Sequence, residues 1–178
     1  MKHRTIFHLI SSVFNRAGVS GILIGAFAVN YYKVLRNTVD IDFLIRKDDY
    51  SKILKLLETK GYKEDCVRDI FARLKGKNLE LIDLDFMFVD TDTFEKIMKD
   101  SKNMSIAKQK FKVPSLEHLI ALKLHAIKNG PKSRGNKDLF DIVELIKANK
   151  VVIKSENFKN LCIKYGTGEI YNKILERI

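Results

Sequence analysis

The chain has 178 residues, which suits one domain or one domain with an appendage. Its 46% hydrophobic content, eleven Phe and six Tyr exclude a disordered segment, and no apolar stretch reaches the length of a membrane span. A net charge of +11 points to polyanionic partners, nucleic acid or nucleotide phosphates, or else to a lysine-rich solvated surface.

Residues 4–17 set Ile6, Leu9, Ile10, Val13, Phe14 and Ala17 at helical spacing, and Gly18 ends that helix. Residues 20–24 read as a short buried strand and 26–35 as a helix. A polar connector, Arg36-Asn37-Thr38, leads to a strand over 39–45, followed by a helix over 50–60 ended by Gly61. Strands are expected at 62–67 and 70–75, then a turn at Gly76-Lys77-Asn78. Residues 79–88 form a strand of clean alternation: Ile82, Leu84, Phe86 and Phe88 on one face, Asp83 and Asp85 on the other. A helix over 92–99 and one basic, edge-like strand over 104–113 come next. Ser115 is an N-cap for a helix running to about residue 128. Residues 132–136 read as a basic flexible loop, and helices cover 137–148, 155–165 and 169–178. The division is a sheet-bearing half, 1–113, and a helical half, 114–178.

Chemistry concentrates on the strand at 39–45. Asp40 and Asp42 are two apart, so both carboxylates share one strand face inside an apolar segment. Like charges so placed need a cation, or solvent at a strand end. Asp83, with Asp85 beside it, occupies the same kind of face on a second strand. Three carboxylates then converge if the two strands are neighbours, an oxygen-only set that suits Mg²⁺ shared with substrate phosphates. Ahead of them, Gly25-Ala26 marks a strand end and helix start, where free backbone N–H groups and the helix dipole favour phosphate.

Other chemistries find no pattern. Cys66 and Cys162 are far apart, with neither CxxC nor a disulfide framework, which fits reduced thiols and a cytoplasmic protein. His118 and His125 make no HExxH, no P-loop is present, and no nucleophile elbow surrounds a serine.

Together, Ile24-Gly25-Ala26, thirteen residues (27–39), and Asp40-Ile41-Asp42-Phe43 resemble the signature of the nucleotidyltransferase superfamily with the polymerase-β-like fold. Alanine at 26 replaces the family's second Gly or Ser. The resemblance extends through Val113-Pro114-Ser115-Leu116-Glu117 into Ala121-Leu122-Lys123-Leu124-His125-Ala126, then Ser133-Arg134 and Lys137-Asp138-Leu139-Phe140-Asp141-Ile142. Those segments look like the AbiEii-type, toxin-like branch. It implies an α/β (mixed α+β) fold: a nucleotidyltransferase-type mixed sheet flanked by helices, with a C-terminal helical bundle. It implies transfer of a nucleoside monophosphate from an NTP to an acceptor (RNA or tRNA, a protein or a small molecule), with Mg²⁺ or Mn²⁺ on Asp40, Asp42 and Asp83. Asp83 is preferred over Asp85 as the third carboxylate. Gly25, Ala26, Lys123 and Arg134 would bind nucleotide, and Asp138 would orient Lys123 or the nucleotide. A cognate antitoxin is an implied partner. The alternative is a non-catalytic nucleotide- or RNA-binding module on the same fold.

Overall fold

The computed structural model describes residues 5–78, 80–130 and 132–178, of which 132–134 by their backbone alone. The chain divides into two compact units: the described residues up to Ala28 with Asn37–Pro114, and Val29–Arg36 with Ser115–Ile178. No helix of the described residues is long and apolar enough to cross a membrane.

The first unit is built on seven strands: β1 (Ile22–Leu23), β2 (Asp40–Arg46), β3 (Tyr62–Arg68), β4 (Phe71–Gly76), β5 (Asp83–Val89), β6 (Lys102–Ile106) and β7 (Gln109–Val113). They form one mixed sheet in the order β3-β4-β5-β2-β1-β7-β6. The pairs β2/β5 and β1/β7 are parallel and the rest antiparallel. One face carries α1 (Ile6–Ala17) and α3 (Tyr50–Glu58), and its core is aromatic. The Phe14 ring of α1 meets Phe43 of β2 edge-on at 5.0 Å, Phe43 stacks on Phe86 of β5 at 6.1 Å, and Tyr50 lies 5.9 Å from Phe86. Phe43 and Phe86 are fully buried. The alternation that points them inward turns Asp40, Asp42, Asp83 and Asp85 to the other face.

Side-chain caps and one left-handed glycine set the helix ends. Thr5 caps the start of α1 by accepting from the His8 N–H, and Gly18 closes it in the left-handed conformation at φ +63°. In α4 (Thr91–Lys99) the cap is Asp90, which accepts from Thr93 N at 2.8 Å.

Two expectations are corrected. Residues 104–113 are not one strand but the hairpin β6–β7, turned at Ala107 (φ +49°) and Lys108 (φ +63°). Two consecutive positive φ values make the hairpin turn usually written with Asn and Gly, so Ala-Lys carries no turn signal. Residues 132–136 are not a loop, because helix α6 runs Lys132–Asn149. In the sequence it follows directly on the Gly130-Pro131 pair, which reads as a breaker. Smaller shifts follow: α2 is Gly25–Tyr31, ended by Lys33 at φ +66°, and β5 begins at Asp83. The expected strand start at Leu79 lies outside the described residues.

In the second unit, α5 (Leu116–Asn129) packs on α6 and on α7 (Glu156–Tyr165), and α8 (Gly168–Leu175) on α6 and α7. Leu124, Ile142, Leu145, Cys162 and Ile174 are fully buried between them.

Candidate active site

The parallel pairing of β2 with β5 sets Asp40 opposite Asp83 and Asp42 opposite Asp85. Neighbouring strands lie about 4.8 Å apart and alternate residues about 6.6 Å apart along a strand, so four carboxylates form a two-by-two array. Each is held differently. Thr38 Oγ1 donates to Asp40 Oδ1 and, at 3.1 Å, to the Asp40 carbonyl. Asp83 Oδ1 accepts from the Gly76 N–H at 3.2 Å. Asp85, only 4% exposed, accepts two bonds from Arg73, from Nε at 2.7 Å and Nη2 at 2.6 Å. Arg73 lies directly across from Asp85 in the antiparallel β4/β5 register, and its Nη2 also stands 4.0 Å from Asp40 Oδ2. The Asp85 bonds push the guanidinium pKa further up despite burial, with Asp40 and Asp83 adding to it, so Arg73 is a permanent cation among the carboxylates.

Asp42 explains the glycine of the first motif. Its backbone carbonyl accepts from Ile24 N at 2.9 Å, which draws the start of α2 against β2. Gly25 sits at φ +61°, and a Cβ there would lie 1.9 Å from Asp42 Oδ2. Only glycine fits the conformation and leaves the carboxylate its place. Ala26 follows in the first turn of α2 and is half-buried.

An oxygen-only, half-buried set on one sheet face suits a hard divalent cation. Among the described residues no three His, Cys, Asp or Glu side chains are yet gathered around one point, and Arg73 already neutralises Asp85. Asp40, Asp42 and Asp83 are the carboxylates of the array that could serve as donors, with Arg73 Nη2 4.0 Å from Asp40 Oδ2.

In the second unit, Lys123 of α5 is buried and bonded to two carboxylates of α6, Asp138 Oδ1 at 3.1 Å and Asp141 Oδ2 at 2.6 Å. Asp138 and Asp141 are one helical turn apart and share a face. Arg36 Nη1 stands 2.9 Å from Asp141 Oδ1, making a network of two cations and two anions. The side chain of Arg134 lies outside the described residues. Sequence reading had no role for Arg73 or Arg36. A hairpin register drawn through Gly76-Lys77-Asn78 could have set Arg73 near the acidic strand, while Arg36 had no local signal.

Comparison with known proteins agrees with this architecture. Residues 21–177 match the family described as "uncharacterised nucleotidyltransferase". No curated protein matches in sequence. Among solved structures the chain is similar to the antibiotic-resistance factor ANT(2'')-Ia, at 16% identity and TM-score 0.66, covering 96% of this chain and 93% of that one. It is also similar to the lincosamide antibiotic adenylyltransferase LnuA, at 18% identity and TM-score 0.58, covering 82% and 98%. An antigenic nucleotidyltransferase-like protein from Paracoccidioides brasiliensis aligns at 15% identity and TM-score 0.50, covering 89% and 90%. With the family match spanning nearly the whole chain, this protein belongs to the nucleotidyltransferase family and is an enzyme of that class.

Proposed function

We propose that the protein transfers a nucleoside monophosphate from an NTP to a hydroxyl of an RNA acceptor. The observation that carries this is the register that sets Asp40 opposite Asp83 while Asp42 lies against Gly25. Asp40, Asp42 and Asp83 would hold Mg²⁺ or Mn²⁺, which when bound neutralises phosphate charge and polarises the α-phosphoryl group. The backbone N–H groups opening α2 at Gly25 and Ala26 would face the triphosphate. Asp83 takes the proton of the acceptor hydroxyl as its oxygen attacks the α-phosphorus. The bond from that phosphorus to the bridging oxygen breaks, and pyrophosphate leaves with the electron pair. Asp85 stays neutralised by Arg73 and out of the reaction, which supports Asp83 as the base.

Lys123 and Asp138 act in this reading by positioning. Lys123 is committed to Asp138 and Asp141, which supports an orienting role for the α5–α6 pair over direct phosphate contact. Arg134 would contact nucleotide. RNA is favoured as acceptor because the net charge is +11. A toxin-like role with an antitoxin partner is supported by the AbiEii-type likeness alone, and growth unaffected by strong expression would remove it.

The test is incubation with each α-labelled NTP, Mg²⁺ and total RNA or a cell lysate. Label is expected on RNA, and the Asp40→Asn/Asp42→Asn variant is expected to lose it. Transfer that persists in the variant would sink the metal site, and no transfer to any acceptor would sink the reading.

A further inference from the structure

The strand order gives the candidate site two sides. Gly25 and α2 follow β1, on one flank of β2, while Asp83 stands on β5, on the other. If the nucleotide's phosphates lie toward β1 and Asp83 is the base, the acceptor hydroxyl must arrive from beyond β5, over β4 and β3. This step rests on the proposed function.

That approach has its own chemistry. Arg73 shares the carboxylate face of the sheet, and alternation puts Phe71 and Lys75 there with it. The β3 partners in register are Lys63 opposite Lys75 and Cys66 opposite Arg73. The face thus presents Lys63 and Lys75 level with the Asp83 end of the site, with the half-buried Phe71 ring further along and the Arg73 guanidinium 5.9 Å from its centroid. Lys63 is exposed and makes no ion pair among the described residues. Among the described residues Lys75 pairs with Asp65 alone, at 3.0 Å, with its side chain 58% exposed. A pair that open is worth little and gives way to a stronger anion. Neither lysine is used by the carboxylate site, and neither supports the core. A polycationic acceptor would be repelled here, a neutral small molecule would gain nothing from the charge, and a phosphate chain would gain at each lysine.

We infer that this cationic face of the β3–β4 hairpin is the acceptor-binding surface, and that it seats the sugar-phosphate backbone of RNA beside Asp83. Lys63 and Lys75 contact phosphates, and Phe71 offers a ring for an unpaired base.

The test uses the full chain and a fluorescein-labelled single-stranded RNA, titrated at several salt concentrations. Lys63→Glu/Lys75→Glu is compared with Lys55→Glu/Lys102→Glu, a charge-matched control. Lys55 is on α3, and Lys102 pairs with the buried Val113 on the helix-covered face. Circular dichroism and NTP affinity should be unchanged in both variants. Lys63→Glu/Lys75→Glu should bind RNA at least about tenfold more weakly and reduce the slope of log K against log salt by about 1.4, or 0.7 per lost phosphate contact. Its label transfer to RNA should fall in parallel, with the control within about twofold of wild type.

Three results overturn the inference. They are unchanged RNA affinity in Lys63→Glu/Lys75→Glu, an equal loss in the control, and label transfer by the wild type to a small molecule or protein but not RNA. In all three the carboxylate reading survives, because NTP-dependent transfer is still seen. A wild type that labels no acceptor overturns both.

Discussion

Replacing Gly25 by alanine tests the geometry at the centre of the site, and Gly18 supplies its internal control. Both glycines have nearly the same positive φ, +61° at Gly25 and +63° at Gly18. A Cβ at 18 meets nothing within 4 Å, whereas one at 25 falls 1.9 Å from Asp42 Oδ2, 2.6 Å from its Cγ and 2.9 Å from its Cβ. Gly18→Ala therefore measures the backbone cost alone, about 1–2 kcal/mol. That is a Tm fall of roughly 2–8 °C for a chain of this length. Gly25→Ala carries the same cost and must also displace the carboxylate. Real Cβ atoms do not approach within 3.0 Å of such atoms, so Asp42 must change rotamer or β2 must part from the start of α2. The expected stability loss for Gly25→Ala is about 2–5 kcal/mol, the backbone term plus overpacking. Urea denaturation of both variants measures it. In the transfer assay, Gly18→Ala should keep wild-type kcat at temperatures where it is folded. Gly25→Ala should lose at least about a hundredfold, as expected for a reacting group moved by about an ångström. Equal stability losses for the two variants, with transfer intact in Gly25→Ala, would refute the claim that Gly25 is there for Asp42.

The buried network of the second unit predicts that Lys123→Met destabilises the protein by about 3–5 kcal/mol in denaturant melts, because Asp138 and Asp141 lose their shared cation. Lost transfer with unchanged stability would instead make Lys123 a nucleotide contact. Asp49 gives a pH dependence. Burial pushes its carboxyl up, but hydrogen bonds from Lys52 and Arg46 outweigh that and hold it below the ordinary range. A depressed carboxyl stabilises the fold above its unfolded pKa, about 3.9, and that contribution disappears as pH falls through the folded value. Asp49→Asn should thus flatten the acid limb of stability against pH, and an unaltered limb would show that the pair contributes nothing. Burial raises the Cys162 thiol pKa to about 11, so iodoacetamide near pH 8 should label the half-buried Cys66 and spare Cys162 until the chain is unfolded. Equal labelling rates in the native state would contradict the packing of α7.

Much of the candidate site's geometry was legible in the sequence because its features are local. Period-two alternation puts Asp40 with Asp42, and Asp83 with Asp85, on one face whatever else the chain does. The same alternation drives Phe43 and Phe86 the other way, into the core. Helix ends at Gly18, Ser115 and Ser155 follow from side chains and φ values within a few residues. What failed locally was chemistry without its usual letters, as at Ala107-Lys108, which turns a hairpin with neither glycine nor asparagine.

Tertiary structure decided everything that depends on register or on contacts between distant segments. Nothing near Asp40 states that β5 lies beside it in parallel, or that Asp83 and not Asp85 falls opposite. The antiparallel pairing of β4 puts Arg73 across from Asp85 and so sets that aspartate, with its two bonds from the guanidinium, apart from the other three. Lys123 looks like an exposed helix charge until α6 is packed against it, and Arg36 joins Asp141 from more than a hundred residues away. Side-chain direction is fixed by the backbone a few residues at a time, so sequence carries it. The partner of a charge is fixed by which strand or helix folds alongside, and only the assembled sheet and bundle supply that.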